Sequence, residues 1–132
     1  SEMCIRDRSM AIAYFGSNGY VVSVPLNDTQ DYDLVVDKDG KLQNVQVKGT
    51  NRRGTGNAYT IGLRTISGTT RQAYKTVIDT DVDLLFCLCG DGTMYLIPKE
   101  DVANRCEINL SKEKSKYSKK LSQSYERYVV TM

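Results

Sequence analysis

The sequence contains no histidine, and this absence removes much of the usual chemistry of enzymes. No Ser-His-Asp triad, Cys-His pair or histidine-based metal nuclease motif can be built from it. Four cysteines are present, but no two of them have the CxxC spacing, so a structural zinc site is not expected. Any catalysis must therefore use carboxylates, amides, lysines and a bound ion.

Long apolar runs are also lacking. The longest, residues 84–89, has the length of a strand, so no membrane partner is expected. Two disulfides are possible in principle, but Cys87 and Cys89 lie inside this run and look like buried thiols, which indicates a reduced, cytoplasmic protein. A net charge of +2 does not by itself indicate a nucleic-acid binder, so that interpretation depends on where the charges lie.

The first nine residues have neither the apolar core of a signal peptide nor a clear helical stripe. The string SEMCIRDRS resembles translated sequencing-adaptor read-through, which predicts a non-native segment over residues 1–9. The remaining residues, 10–132, contain no evident linker and no internal repeat. They are expected to form one domain around a single core.

Hydrophobic periodicity and turn residues predict an α/β (α+β mixed) domain built on one mixed sheet. Residues 49–57 are expected to be a flexible basic loop, and residues 111–124 a polar, lysine-containing segment. Residues 9–18 are predicted to be a short helix or the end of a longer one, and further helices are predicted more weakly at 72–78, and at 99–103. Strands are predicted at 21–24, 32–36, 41–48, 58–64, 82–89 and 93–97.

The Asp39-Gly40 dipeptide between two strand patterns predicts a two-residue hairpin turn. In that register Lys38 faces Lys41, and Asp33 lies opposite Gln46. A bulge at Gly40 would shift the pairing by about one step and is the alternative.

Side chains alternate along a strand, so Lys48 shares a face with Gln46 in this hairpin. The reverse face is predicted to supply the core through Leu34, Val36, Val45 and Val47. A carboxylate, an amide oxygen and an ammonium thus converge on one side. Phosphodiester hydrolysis requires a hard cation held by oxygens and a nearby positive group, and these residue types suit it. The alternative is a surface ion pair between Asp33 and Lys48 beside a solvated Gln46.

The wider sequence resembles the PD-(D/E)XK nucleases over roughly residues 10–101, and especially the small subgroup of bacterial intron-encoded homing endonucleases with a QxK variant motif. The segments that carry the resemblance are Gly19-Tyr20, Pro25-Leu26-Asn27, Tyr32-Asp33-Leu34-Val35-Val36-Asp37, Gly40-Lys41-Leu42 and Val45-Gln46-Val47-Lys48.

This resemblance implies a restriction-endonuclease-like core, with a central mixed sheet flanked by helices. It also implies a divalent-metal-dependent DNA endonuclease that uses Mg²⁺, for which Mn²⁺ can substitute. Asp33 would be the central metal ligand and Gln46 a variant ligand position. The Val47 carbonyl would lie near the ion, and Lys48 would be the catalytic lysine.

Two departures from the family pattern stand out. Gln46 takes the place of a carboxylate, which removes one negative charge and should weaken metal binding. Family members usually carry an acidic residue on the first helix, whereas residues 9–18 contain none. Glu2 and Asp7 are the only acidic residues upstream, and both fall in the segment 1–9.

Double-stranded DNA is the expected partner. Arg52 and Arg53, directly after Lys48, are the best candidates for phosphate or groove contacts. Arg64, Arg71 and Lys75 would extend this basic track, and lysines at 112–120 would contact the backbone; the alternative for each is a solvated surface charge.

Three hypotheses remain on sequence grounds. The first is a DNA endonuclease, closer to homing endonucleases than to restriction-type or Holliday-junction-resolvase-like enzymes. The second is a DNA-binding relative without turnover, and the third is a small interaction domain. Because one small chain carries one site, cutting both strands would require a homo-oligomer, either a dimer or a tetramer.

Overall fold

The computed structural model describes residues 5–27, 29–54, 58–63, 65–66, 74–111 and 125–132, with the backbone alone at 65, 66 and 74. Within these ranges the α-helix is α1, Ile5–Ser17. The strands are β1 Val21–Ser23, β2 Leu34–Lys38, β3 Lys41–Thr50, β4 Tyr59–Gly62, β5 Thr65–Ile66, β6 Tyr74–Lys75, β7 Leu84–Cys89, β8 Met94–Pro98, β9 Glu107–Leu110 and β10 Val129–Val130. Short 3-10 helices span Val77–Asp79, Lys99–Asp101 and Glu126–Tyr128.

The central sheet has six strands in the order β1-β2-β3-β7-β8-β10. The pair β3 and β7 is parallel, and the other neighbours in this sheet are antiparallel. Two further pairs, β4 with β9 and β5 with β6, form small two-stranded sheets. The predicted mixed sheet and α/β class are therefore confirmed.

The β2–β3 hairpin has the predicted register. Lys38 pairs with Lys41 and Leu34 pairs with Val45. Asp39 and Gly40 both have positive φ, 55° and 82°, as a two-residue turn that matches the strand twist requires. The bulged alternative is not adopted.

Each face of the central sheet covers a separate apolar core, so the expectation of a single core is corrected to two, one on each face. On one face, α1 packs Ala11, Tyr14 and Phe15 against the sheet. The predicted core residues of the hairpin all belong to this cluster and are buried, as expected: Leu34, Val36, Val45 and Val47.

The other face is covered, in the described part of the chain, by the β4–β9 pair and short 3-10 helices. Cys87 and Cys89 are buried in this second core, as predicted. No helix in the described ranges is long and apolar enough to span a membrane.

The first helix extends back to Ile5, so residues 9–17 are the end of a longer helix, which is one of the two predicted alternatives. The helix thereby includes part of the segment 1–9, whose non-native origin stays a prediction. Other local predictions were wrong. The weak helix at 72–78 is, where described, the strand β6 followed by a 3-10 helix, and the helix at 99–103 is a short 3-10 helix. The strand β9 was missed, because its partner β4 lies far away in sequence.

Candidate active site

The site lies just before the start of β2, beside the longer strand β3. The pairing of β2 with β3 begins at Leu34 and Val45, whereas β3 continues to Thr50 along β7. Asp33 precedes this first pair and lies beside the part of β3 that β2 does not cover. Its N–H donates to the Val45 carbonyl at 2.8 Å, and its Oδ2 accepts from the Val47 N–H at 2.7 Å. The Asp33 carboxylate thus accepts the hydrogen bond that a backbone carbonyl of a longer β2 would accept from Val47, and this bond fixes it on β3.

Two groups near this carboxylate could offer further oxygen atoms to a cation, the Val47 carbonyl and the Gln46 amide. In an antiparallel ladder the N–H and C=O of one residue point to the same side. Because the Val47 N–H meets Asp33, the Val47 carbonyl is directed to the same edge of β3. Gln46 Nε2 donates to the Asp31 carbonyl at 3.1 Å, which orients the amide with its oxygen away from Asp31.

The Asp33 carboxyl has a pKa above its usual value. Burial is the main cause, since it disfavours the charged form. The Val47 hydrogen bond and the positive charges of Lys48 and Arg8 oppose this shift without cancelling it. Asp33 is therefore a partly desolvated carboxylate with positive groups on more than one side, and a bound cation would stabilise its charged form.

A second carboxylate approaches β3 from the helix side. A Cβ placed on Gly49 would overlap the Asp7 carboxyl group, so the absence of a side chain at Gly49 makes room for Asp7. Burial raises the pKa of Asp7, and Arg6 partly offsets that shift. Asp7, on the first helix, thus lies against Gly49, the residue that follows Lys48.

Asp7 is the residue that the sequence prediction passed over, and helical spacing could have found it. Asp7, Ala11 and Tyr14 are spaced i, i+4 and i+7, and Ala11 and Tyr14 are buried on the inner face of α1. Extending the helical pattern backwards from Ala11 places Asp7 on the face that meets the sheet.

The predicted DNA-binding residues have different surroundings. The described residues of the predicted flexible loop 49–57 have defined backbone partners: Thr60 N–H donates to the Arg52 carbonyl, and Gly54 N–H donates to the Ala58 carbonyl. Arg52 forms an exposed ion pair with Glu107 at 2.8 Å. Arg53 stacks 4.0 Å above the Tyr59 ring and donates to its hydroxyl.

Lys75 lies near Gln46 and not beside Arg52 and Arg53, with which it was predicted to form one basic track. Its ammonium pairs with Asp31, the residue whose carbonyl holds the Gln46 amide. Arg64 and Arg71 lie outside the described residues, as do the lysines at 112–120. The structure therefore bonds Asp33 to Val47, with Lys48 near enough to act on its pKa, and bonds Gln46 to Asp31. Asp7 lies against Gly49, on the face of β3 that meets the helix.

This set of groups is suited to a hard cation. Among the described residues, no three His, Cys, Asp or Glu side chains are grouped so as to hold a metal ion. A carboxylate, an amide oxygen and a backbone carbonyl are nonetheless the ligand types that Mg²⁺ and similar ions accept, with water completing the shell. The desolvated Asp33 carboxylate is the observation that fits such an ion.

The mixed sheet, with Asp33 directly before one strand and Gln46-Val47-Lys48 on the next, has the strand context that the resemblance to PD-(D/E)XK nucleases implied. The chain matches the family model described as "PD-(D/E)XK endonuclease" over residues 7–129, and it belongs to that family. The resemblance predicted from the sequence motifs is confirmed, and the family places the protein among nucleases.

The chain is also similar to individual proteins and solved structures. Protein 5.3 of Escherichia phage T7 is 42% identical over 88 residues, which cover 64% of this chain and 70% of that protein. The solved structure of the bacterial homing endonuclease I-Ssp6803I is similar with a TM-score of 0.73 and 26% identity, covering 94% of this chain and 84% of the other. The crystal structure of MepB is similar with a TM-score of 0.48 and 12% identity, covering 91% and 89%.

Proposed function

We propose that the protein is a divalent-metal-dependent endonuclease that hydrolyses phosphodiester bonds in double-stranded DNA, with Mg²⁺ as the cofactor and Mn²⁺ as a substitute. The observation that carries this proposal is the Asp33 carboxylate, which is fixed on the Val47 N–H beside Gln46 and Lys48. A partly buried carboxylate with neighbouring oxygen ligands and a lysine suits metal-assisted phosphodiester hydrolysis.

Each residue then has a distinct task. Asp33, the Gln46 amide oxygen and the Val47 carbonyl would hold the ion, and Asp7 would supply a second carboxylate from α1. When bound, such an ion neutralises charge on the phosphate and lowers the pKa of an attacking water. Lys48 would place a positive charge beside the scissile phosphate, where negative charge develops.

A homing-endonuclease-like activity is the subtype that we propose. Its support is the likeness to I-Ssp6803I, a bacterial homing endonuclease, across most of both chains. A homo-oligomer, a dimer or a tetramer, would supply the two sites that are needed to cut both strands. Sedimentation with and without DNA measures this assembly directly.

The test of the proposed function is cleavage of supercoiled plasmid and branched DNA with Mg²⁺ or Mn²⁺, compared with an EDTA control. We expect nicked and linear products that EDTA abolishes. Salt-dependent DNA binding without metal-dependent cleavage would support the second candidate, a DNA-binding relative without turnover, which Gln46 in place of a carboxylate favours.

Residues 51–54, which follow β3, are expected to bind the DNA backbone. Replacing both Arg52 and Arg53 with alanine should weaken DNA binding and reduce the salt slope by about two units, because each phosphate contact contributes about 0.9. The Arg52–Glu107 pair is exposed, so exchange of Glu107 for a phosphate costs at most about 1 kcal/mol.

Fluorescence anisotropy over a range of salt concentrations measures this effect. Lys41→Ala, which removes an exposed charge at the hairpin turn, is the matched control and should leave the slope nearly unchanged. An equal loss of affinity per charge removed in the control and in the arginine variant would show that only the net charge matters. It would contradict a specific contact by residues 51–54.

Asp7 is expected to contribute to metal binding from the helix. Gly49→Ala should displace the Asp7 carboxylate and lower Mn²⁺ affinity about 10-fold, and Asp7→Asn should do the same. Because both changes act on one group, the double variant should bind Mn²⁺ no more weakly than either single variant.

Calorimetric titration with Mn²⁺ measures these affinities. Gly62→Ala is the matched control, since an added Cβ in β4 meets nothing within 4 Å. If Asp7→Asn binds Mn²⁺ as tightly as the native sequence does, Asp7 packs against Gly49 without taking part in the site.

A further inference from the structure

An ion pair links a distant lysine to the loop that precedes the site. Lys75 Nζ lies 2.7 Å from Asp31 Oδ2, and the two residues are separated by 44 positions in sequence. The side chains are only 29% and 22% exposed. At this degree of burial the pair is screened less than a surface pair, and the loss of one partner leaves a poorly solvated charge.

The same aspartate orients a proposed metal ligand. The Asp31 carbonyl accepts from Gln46 Nε2 at 3.1 Å, which sets the direction of the amide oxygen. Two residues later, Asp33 is bonded to β3 through both its backbone N–H and its carboxylate. Segment 31–33 is thus attached to β3 through Gln46, Val45 and Val47, and to β6 through Lys75.

The Lys75–Asp31 pair also affects the electrostatics of the two neighbouring carboxylates, Asp31 and Asp33. Asp31 and Asp33 are two residues apart, and a free Asp31 carboxylate would repel the charge on Asp33 and compete for a cation. The ammonium of Lys75 neutralises Asp31 and holds its side chain away as a partner of β6. With the charge of Asp31 neutralised, the charge of Asp33 is the one in this segment that a cation would balance.

From this arrangement we propose that Lys75 is a positioning residue for the metal site, which acts through Asp31 on the orientation of the Gln46 amide. The inference rests on the proposed function, since it assigns a role in binding the cation. It also differs from a direct role in DNA binding, because the ammonium of Lys75 is engaged inside the protein.

The first measurement needs neither metal nor DNA. In the metal-free protein, the side-chain amide signal of Gln46 is identified in an NMR spectrum as the one that disappears in Gln46→Glu. Lys75→Met and Asp31→Asn should each shift this signal and speed the exchange of its protons, whereas Lys75→Arg should preserve it. Lys99→Met is the matched control, since Lys99 is also partly buried and donates to the Thr80 carbonyl, outside the site.

The second measurement is affinity for Mn²⁺ alone, without DNA. Lys75→Met and Asp31→Asn should each lower it about 10-fold, as loss of a residue that orients a metal ligand typically does. The double variant removes both charges and keeps the site electrically balanced, so it should fold even if a single variant does not. Its Mn²⁺ affinity should still be reduced, because the link from β6 to segment 31–33 is gone.

The outcomes separate this inference from its rivals. A Lys75→Met variant with an unchanged Gln46 signal and unchanged Mn²⁺ affinity, but a salt slope for DNA binding smaller by about one unit, would make Lys75 a phosphate contact and overturn the inference. If the native sequence binds no Mn²⁺, the proposed function fails, and the Gln46 signal then decides the positioning role on its own. A signal that responds equally to Lys99→Met would contradict that role.

Discussion

Asp33→Asn should reduce DNA cleavage by on the order of 10³-fold while the fold is retained. The amide oxygen of asparagine can still accept from the Val47 N–H, so the bond that fixes this residue on β3 survives. Only the charge is lost. Asp33→Ala should also abolish cleavage, but it leaves the Val47 N–H without this acceptor, which costs about 1–3 kcal/mol.

Comparing the native sequence with Asp33→Asn at several pH values tests how the Asp33 carboxyl contributes to stability and to cation affinity. Because the folded protein raises the pKa of Asp33, the folded state binds more protons than the unfolded state between the ordinary and the raised value. Across that window stability falls as pH rises, while affinity for a cation grows as the carboxylate ionises. Asp33→Asn should weaken both trends and leave the part that comes from Asp7, whose pKa is also raised. Thermal unfolding and Mn²⁺ titration at a series of pH values measure the two trends.

Lys48→Ala should reduce cleavage by a similar factor, on the order of 10²–10³, through loss of the positive charge beside the phosphate. Binding of Mn²⁺ should be nearly unchanged, because an ammonium is not a metal ligand.

Plasmid nicking gives the cleavage rates of both variants. Asp39→Asn serves as the control for Asp33→Asn, since asparagine is also tolerated at a positive φ in the turn. Cleavage that survives both site substitutions unchanged would contradict the proposed site.

Gln46→Glu is the second large effect that we expect. A carboxylate at this position adds a negative ligand, which should raise Mn²⁺ affinity by about 10-fold or more. The same change removes the donor to the Asp31 carbonyl and places a third acidic group near Asp31 and Asp33. Without metal the variant should therefore be less stable than the native sequence, by about 1–3 kcal/mol.

Thermal unfolding in EDTA and in Mn²⁺ separates these two contributions. The midpoint should fall in EDTA and recover in Mn²⁺, because a bound ion stabilises the folded state by mass action. Gln46→Ala is the control, and it should lose Mn²⁺ affinity. If the alanine and glutamate variants both bind Mn²⁺ as the native sequence does, position 46 is not a ligand position.

The hairpin shows how far local sequence reaches. The Asp39-Gly40 turn favours one register, and alternation along β2 and β3 then places Leu34, Val36, Val45 and Val47 in the core. The same alternation puts Gln46 and Lys48 on the opposite face. These predictions were correct because they depend on neighbours a few residues away.

Other features required partners that are distant in sequence. The helix boundary at Ile5 and the position of Asp7 depend on packing of α1 against the sheet, and the strand β9 forms because β4 lies beside it. No local pattern predicts the contact between Lys75 and Asp31, since the two residues come together only when β6 approaches the segment that precedes β2. Sequence alone therefore determined the hairpin and its candidate ligands, through short-range turn and strand geometry. Tertiary packing decided which charges surround them, because burial and long-range ion pairs exist only in the folded chain.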